Sequence, residues 1–259
     1  MTQNLKTLNG DTVDVENAKL ANFKASLRGS LIDKTSAGYD DARALWNSMV
    51  DRRPSLIVLA RDTDDIRLTV NFARENNLLL AVKSGGHQIA GHAVADGALL
   101  LNLSQMKAVH VDSDKATATV EPGCLLADVD QETQRYGLAV PLGINSTTGV
   151  AGLTLGGGFG WITGKHGLTI DNLLSAEVVC ADGEVRVASA TQNADLFWAI
   201  RGGGGNFGVI SSFEFALHPI GPEVLSGLVV HPLADARNLL QSYRDICARA
   251  PDELTIWAV

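Results

Sequence analysis

Short apolar runs, bounded by polar or glycine-rich turns, alternate with stretches of helical spacing through the middle of the chain. Leu56–Leu59, just after Pro54, predicts a strand. Asp62 and Thr63 then offer an N-cap, and Ile66, Val70 and Ala73 recur along one helix face. A second apolar run at 78–82 leads straight into the turn Ser84-Gly85-Gly86-His87. The order is strand, helix, strand, loop. Residues 1–50 mix short helical patterns with polar turns.

Beyond this loop the rhythm changes. Runs at 99–103, 108–111 and 116–120 predict successive strands, the last two joined by the turn-forming residues Asp112 to Lys115. Residues 125–136 have helical periodicity, with Leu126, Val129 and Thr133 on one face. Runs at 176–180 and 184–188 flank Asp182-Gly183, a hairpin signal. A short helix at 193–200, the glycines 202–205 and a strand at 209–217 follow. After Pro219 the pattern predicts a strand at 224–230, a helix at 233–249 and the start of a strand at 254–259. A strand, a helix and part of a strand make a poor independent core, so these residues read as the opening of a larger unit in a truncated chain.

Composition narrows the function classes. The chain has 259 residues and a formal net charge of −8, which argues against nucleic acid as the main partner. No apolar run approaches the roughly 20 residues needed to cross a bilayer. Residues 1–10 hold no apolar stretch that would serve as a secretion signal. Cys124, Cys180 and Cys247 are far apart and lack metal-ligand spacing, so free thiols, no metal and a cytoplasmic location are expected. A small-molecule substrate is the expected partner.

Three loops are dense in glycine: Gly85-Gly86 with Gly91, the stretch 149–160, and the stretch 202–208. Each alone is compatible with a tight turn between strands. Together they suggest a shared ligand, because backbone N–H groups with little side chain around them suit a pyrophosphate. Gly156-Gly157-Gly158-Phe159-Gly160 superficially fits a Rossmann fingerprint, but it does not follow a clear buried strand of a βαβ unit. Gly164-Lys165-His166 lacks the Ser or Thr of a Walker loop.

The residues Val82-Lys83-Ser84-Gly85-Gly86-His87, Thr147-Thr148-Gly149-Val150-Ala151-Gly152, Gly156-Gly157-Gly158-Phe159-Gly160-Trp161, Leu196-Phe197-Trp198 and Arg201 to Val209 carry a resemblance. In this order they resemble the berberine-bridge-enzyme-like and 6-hydroxynicotine-oxidase-like flavoproteins of the vanillyl-alcohol-oxidase superfamily. The resemblance implies an α+β fold: a two-lobed PCMH-type FAD-binding domain at 1–220, with its core at 53–219, then the beginning of an α/β substrate-binding domain at 221–259. It implies FAD as cofactor, bonded by its 8α-methyl carbon to His87. Ser84, Gly85, Gly86 and Gln88 are implied to hold the pyrophosphate, and Gly91 and Gly143 to lie in the cofactor site. Thr147, Thr148, Gly149, Gly152, Gly157 and Val209 are implied to line the adenosine or ring regions.

Some relatives carry a second, cysteinyl link, whose matching position here is Asn145, so a single tether is expected. Leu153 stands where some relatives place a histidine. His92 is expected to cap a turn, His110 to face solvent, His166 to stand near the flavin region, and His218 and His231 to be structural. No residue is assigned as catalytic base, which the family carries in its second domain. The implied activity is an FAD-dependent oxidase or dehydrogenase that takes hydride from an alcohol or amine C–H, with oxygen as acceptor. Two rivals stay open: a non-catalytic FAD-binding module or fragment without turnover, and a flavin-free binder of an ADP-containing or nucleotide-sugar ligand.

Overall fold

A computed structural model describes residues 2–258. β1 (Thr2–Lys6) and β2 (Thr12–Glu16) form an antiparallel hairpin. Their alternation buries Leu5 and Val15 and leaves the charged residues between them outside. α1 (Asn17–Ser26), β3 (Ser30–Asp33) and α2 (Tyr39–Arg43) lead to β4 (Leu56–Leu59), α3 (Thr63–Glu75), β5 (Leu80–Lys83) and β6 (Leu99–Asn102). The four strands lie in the order β3-β4-β6-β5, with β3 antiparallel and the rest parallel.

Parallel strands are covered on both faces, which is why β4 and β6 are almost wholly apolar. Leu56, Val58, Leu99 and Leu101 face the core beneath α3, whereas Ile57 and Leu100 face a second core that includes Tyr39 of α2. α3 starts where the Asp62 side chain accepts the N–H of Asp65, and it buries Ile66, Val70 and Ala73. Asp65 is fully buried on α3, and its carboxylate accepts the N–H groups of Arg28, Gly29 and Arg61 at 2.8–2.9 Å. It fastens three chain segments at one point.

The second lobe holds β7 (Val109–Asp112), β8 (Thr117–Val120), α4 (Leu126–Thr133), β9 (Leu138–Ala139), α5 (Val150–Leu155), α6 (Thr163–His166), β10 (Leu173–Val179), β11 (Val185–Ser189), α7 (Ala194–Gly203), β12 (Val209–Ala216) and β13 (His218–Pro219). Its main sheet is antiparallel, in the order β11-β10-β12-β8-β7. Phe213 and Phe215 of β12 are fully buried in a core with Leu126, Val129 and Ile200. Val179 and Val209 turn the other way and join Ile66 and Leu101 in the core of the first lobe. The Glu177 carboxylate accepts from Thr63 on α3 at 3.1 Å and from Ser211 at 2.6 Å. The lobes therefore share a core along α3.

The structure corrects two expectations after Pro219. Residues 224–230 form no strand, and their large apolar side chains, such as Val224 at 68% and Val230 at 81%, stand exposed. A strand needs a partner for its backbone groups, and none of the described residues provides one. Residues 254–258 also form no strand, and Val259 lies outside the described residues. The expected helix is present as α8 (Ala236–Cys247). The residues after it return to the glycine loop at 159–165: Trp257 lies 5.0 Å from Trp161, and Thr255 donates to the Trp161 carbonyl at 2.6 Å. Thus 221–258 carry helix without sheet. Among the described residues no helix is long and apolar enough to cross a membrane.

Candidate functional site

β5 delivers Ser84 to the point where the two lobes meet. The Ser84 hydroxyl donates to the Pro122 carbonyl at 2.6 Å. Gly85 then crosses Gly149 so closely that a Cβ on Gly85 would lie 2.5 Å from the Gly149 Cα. A Cβ on Gly149 would in turn lie 2.6 Å from the Gly85 nitrogen. Gly149 is fixed from its other side, because Leu126 donates to the Thr148 carbonyl at 2.9 Å and Val150 to the Cys124 carbonyl at 3.0 Å. Three loops from two lobes are knotted at this crossing.

Gly86 has φ +63°, a turn that suits glycine and sends the chain back past its own strand. The backbone N–H groups of Gly85, Gly86, His87 and Gln88 find no acceptor among the described residues. Successive unpaired N–H groups in a turn form a concave donor set for an anion. The imidazole of His87 stacks on the indole of Trp46, with centroids 4.7 Å apart and planes 24° from parallel. Its Nε2 is buried and has no hydrogen-bond partner among the described residues. A ring with one face covered and an orphaned nitrogen beside a cradle of free donors fits a phosphate-bearing aromatic cofactor.

The central loop continues from the crossing. Asn145 forms a turn in which its carboxamide oxygen accepts from the Thr147 N–H and hydroxyl at 3.0 and 2.8 Å. Gly152 is exposed, with nothing within 4 Å of a Cβ position. Gly157 has φ +114°, and its carbonyl and that of Gly158 accept from Ile170 and Thr169 at 2.9 Å. A Cβ on Gly143 would meet Leu153 at 3.1 Å, and one on Gly160 would meet the Leu142 carbonyl oxygen at 1.8 Å. The loop therefore folds back on itself, with α5 between its two arms.

Beside it, His166 and His218 stack with centroids 3.9 Å apart. Asn172 donates to the carbonyls of His166 and Leu168, so its oxygen faces His218 Nε2 at 2.6 Å and that nitrogen carries the proton. Burial lowers both imidazole pKa values from the ordinary 6.5; the Lys165 charge adds to this for His166, partly offset by Glu253, and His166 adds to it for His218.

The structure brings Ser84, Gly85, Gly86, His87, Gln88, Thr148 and Gly149 together at one crossing, with Thr147, Gly152, Gly143 and Gly157 along the adjoining loop. Gly91 lies further out, packed against Val50. The side chain of Val209 is buried between the lobes, which leaves only its backbone for a ligand. His110 is exposed on β7, and the His92 N–H donates to the Gln88 side chain at 2.9 Å. The sequence patterns gave no sign of Trp46, because a lone aromatic in a polar stretch has no periodicity and its partner lies far along the chain.

Residues 54–189 match the family described as FAD binding domain. A FAD-linked oxidoreductase of Dictyostelium discoideum is 42% identical over 219 residues, covering 84% of this chain and 48% of that protein. The (R)-6-hydroxynicotine oxidase of Paenarthrobacter nicotinovorans is 34% identical over 231 residues, covering 88% and 50%. The crystal structure of 6-hydroxy-D-nicotine oxidase from Arthrobacter nicotinovorans superimposes with a TM-score of 0.83 at 34% identity, over 88% of this chain and 51% of that one. The glucooligosaccharide oxidase of Acremonium strictum, described with a 6-S-cysteinyl, 8α-N1-histidyl FAD, gives 0.72 at 37% identity, over 78% and 42%. The chain spans about half the length of the curated relatives it matches.

Proposed function

The chain belongs to the FAD-binding domain family, among the FAD-linked oxidoreductases with a PCMH-type fold, and from that premise we propose that it is the FAD-holding part of an oxidase, with the flavin tethered through His87. The observation that carries this reading is the environment of His87. Its ring is stacked, and among the described residues neither its buried Nε2 nor the N–H groups of its turn find a partner. A structural histidine would have its nitrogens satisfied.

In this reading the N–H groups of Gly85, Gly86, His87 and Gln88 hold the pyrophosphate, and no side chain larger than glycine separates the two loops there. Thr147, Thr148, Gly149, Gly152, Gly157, Gly143 and the Val209 backbone line the remainder. FAD held there would supply a two-electron acceptor for hydride from an alcohol or amine C–H, with oxygen as the final acceptor. This chain supplies binding, orientation and exclusion of water from one side. Asn145 in place of a cysteine leaves one tether. The substrate is a small molecule, in keeping with relatives named as 6-hydroxynicotine and glucooligosaccharide oxidases.

Acid precipitation of the purified protein tests the reading, with His87→Ala alongside. Yellow colour in the wild-type pellet, and in the supernatant of the variant, is the expected result. Flavin freed from the wild type by acid overturns the tether, and a wild-type protein that takes up no FAD overturns the cofactor assignment.

A further inference from the structure

Residues 44–53 lie outside the region that matches the FAD-binding family, yet they clasp the outer side of the His87 loop. The Trp46 N–H donates to the Gly86 carbonyl at 3.1 Å, and the Asn47 carboxamide donates to the Ile89 carbonyl at 2.8 Å. Arg52 donates to the carbonyls of Gly91 and Val94 at 2.9 and 3.0 Å. Val50 fills the place where a Cβ on Gly91 would lie, 2.6 Å from one of its methyl groups.

The segment is anchored at both ends. Before it, the Ala42 carbonyl accepts from the Lys83 ammonium and the Asn102 carboxamide, each at 2.9 Å. Lys83 and Asn102 are buried, at the ends of β5 and β6. After it, the Arg53 N–H donates to the Asp96 carboxylate at 2.7 Å. Between these anchors the one aromatic side chain is Trp46, and its ring lies on the imidazole of His87.

We propose that this strap is the positioning device for covalent flavin attachment, and that Trp46 is its positioning residue, fixing the plane of the His87 imidazole before the cofactor arrives. The proposal rests on the reading of His87 as the tether. Attachment replaces a C–H bond of the flavin 8α-methyl group by a bond to an imidazole nitrogen. The nitrogen lone pair makes the new C–N bond, and the methyl carbon and the imidazole each give up one proton. The electron pair of the broken C–H bond remains on the ring system, and dioxygen takes that pair with the two protons to become hydrogen peroxide. None of these events needs a side chain to donate or accept a proton at Trp46. They need a nucleophile that is already oriented, because a ring free to rotate loses rate through orientation alone.

A hydrogen-bonded strap and a 57% exposed indole are poor explanations as core packing. The aromatic contact of the exposed ring is its stack on His87. Phe at this position preserves a ring, whereas Leu preserves apolar volume and removes the stack.

The test uses protein produced under riboflavin starvation and then given FAD. Coupling is followed over time by acid-stable flavin fluorescence in a denaturing gel and by intact mass. Trp46→Phe is expected to couple within about twofold of the wild type, and Trp46→Leu roughly tenfold more slowly, the upper range for one aromatic pair. Non-covalent FAD affinity, measured in the His87→Ala background, is expected to be the same with and without Trp46→Leu. Equal coupling rates for the wild type and Trp46→Leu overturn the proposal and leave the tether standing. A loss of affinity in the His87→Ala background also overturns it, since Trp46 would then be a wall of the cofactor pocket. A wild-type sample without any acid-stable flavin overturns the tether and the strap together.

Discussion

An added methyl group at Gly149 would meet the Gly85 backbone at 2.6–2.7 Å and the Ser84 hydroxyl at 3.1 Å. Its φ and ψ, −76° and 133°, are ordinary for any residue, so the requirement there is space. Gly86, with φ +63°, is required for its conformation instead. Gly149→Ala and Gly85→Ala are expected to destabilise by about 2–3 kcal/mol, as overpacking in a tight site does. Urea unfolding at constant m reads this directly, and a midpoint unchanged from the wild type would contradict the crossing. The thiols provide a second check at this scale. Burial, with Asp128 and Glu121 near it, pushes the Cys124 thiol up to about 12, and the residue is 0% exposed. Cys247 is exposed. In the native protein a thiol reagent should modify Cys247 readily and Cys124 only upon unfolding; early labelling of Cys124 would show that the second-lobe core is open. His87 was legible as a candidate because it follows the Ser-Gly-Gly turn through which the sequence resembles its family. Trp46, Lys83 and Asn102 were not, because their roles arise from contacts between segments that no local pattern records.

Among the elements, those whose burial is uniform or strictly periodic could be read from the sequence. β4 emerged as predicted from Leu56–Leu59, α3 from its cap and apolar stripe, and the β10–β11 hairpin from Asp182-Gly183. The β1–β2 hairpin was hidden because its exposed positions carry polar and charged residues in a stretch that also fits short helical patterns. The run at 224–230 misled for the opposite reason: it is apolar enough for a strand but finds no pairing neighbour among the described residues. The His166–His218 stack joins α6 to β13 and carries a pH dependence. Both folded-state pKa values lie below 6.5, with Lys165 and Glu253 the charged neighbours. The unfolded chain binds protons near 6.5 that the folded one refuses, so this contribution to stability is full above that pH and is lost as pH falls through it. The thermal midpoint should decline between about pH 7 and pH 5.5, before paired carboxylates titrate, and His218→Gln should reduce the slope. A midpoint flat over that range in the wild type would contradict the stack.

At the scale of the whole molecule, two sheets share one core along α3, and the glycine turns at 84–88 and 145–149 cross at the joint. The sequence motifs located these loops in order, but the crossing of Gly85 and Gly149 depends on how the lobes dock, which composition and spacing do not encode. Beyond β13 the character changes, because residues 224–230 have no strand hydrogen bonds and large apolar side chains in solvent. Amide hydrogen exchange should be fast there and slow in β6, β10 and β12; slow exchange at 224–230 would mean that the segment is covered in solution. A bond between the flavin and His87 can be located directly. Trypsin should release the peptide from Ser84 to Lys107, which contains both His87 and His92, and tandem mass spectrometry can locate any adduct within it. A tether at His87 predicts flavin mass on that residue alone, with the unmodified peptide scarce in FAD-saturated protein. The unmodified peptide throughout, or flavin mass on His92 or on a peptide elsewhere, would contradict it.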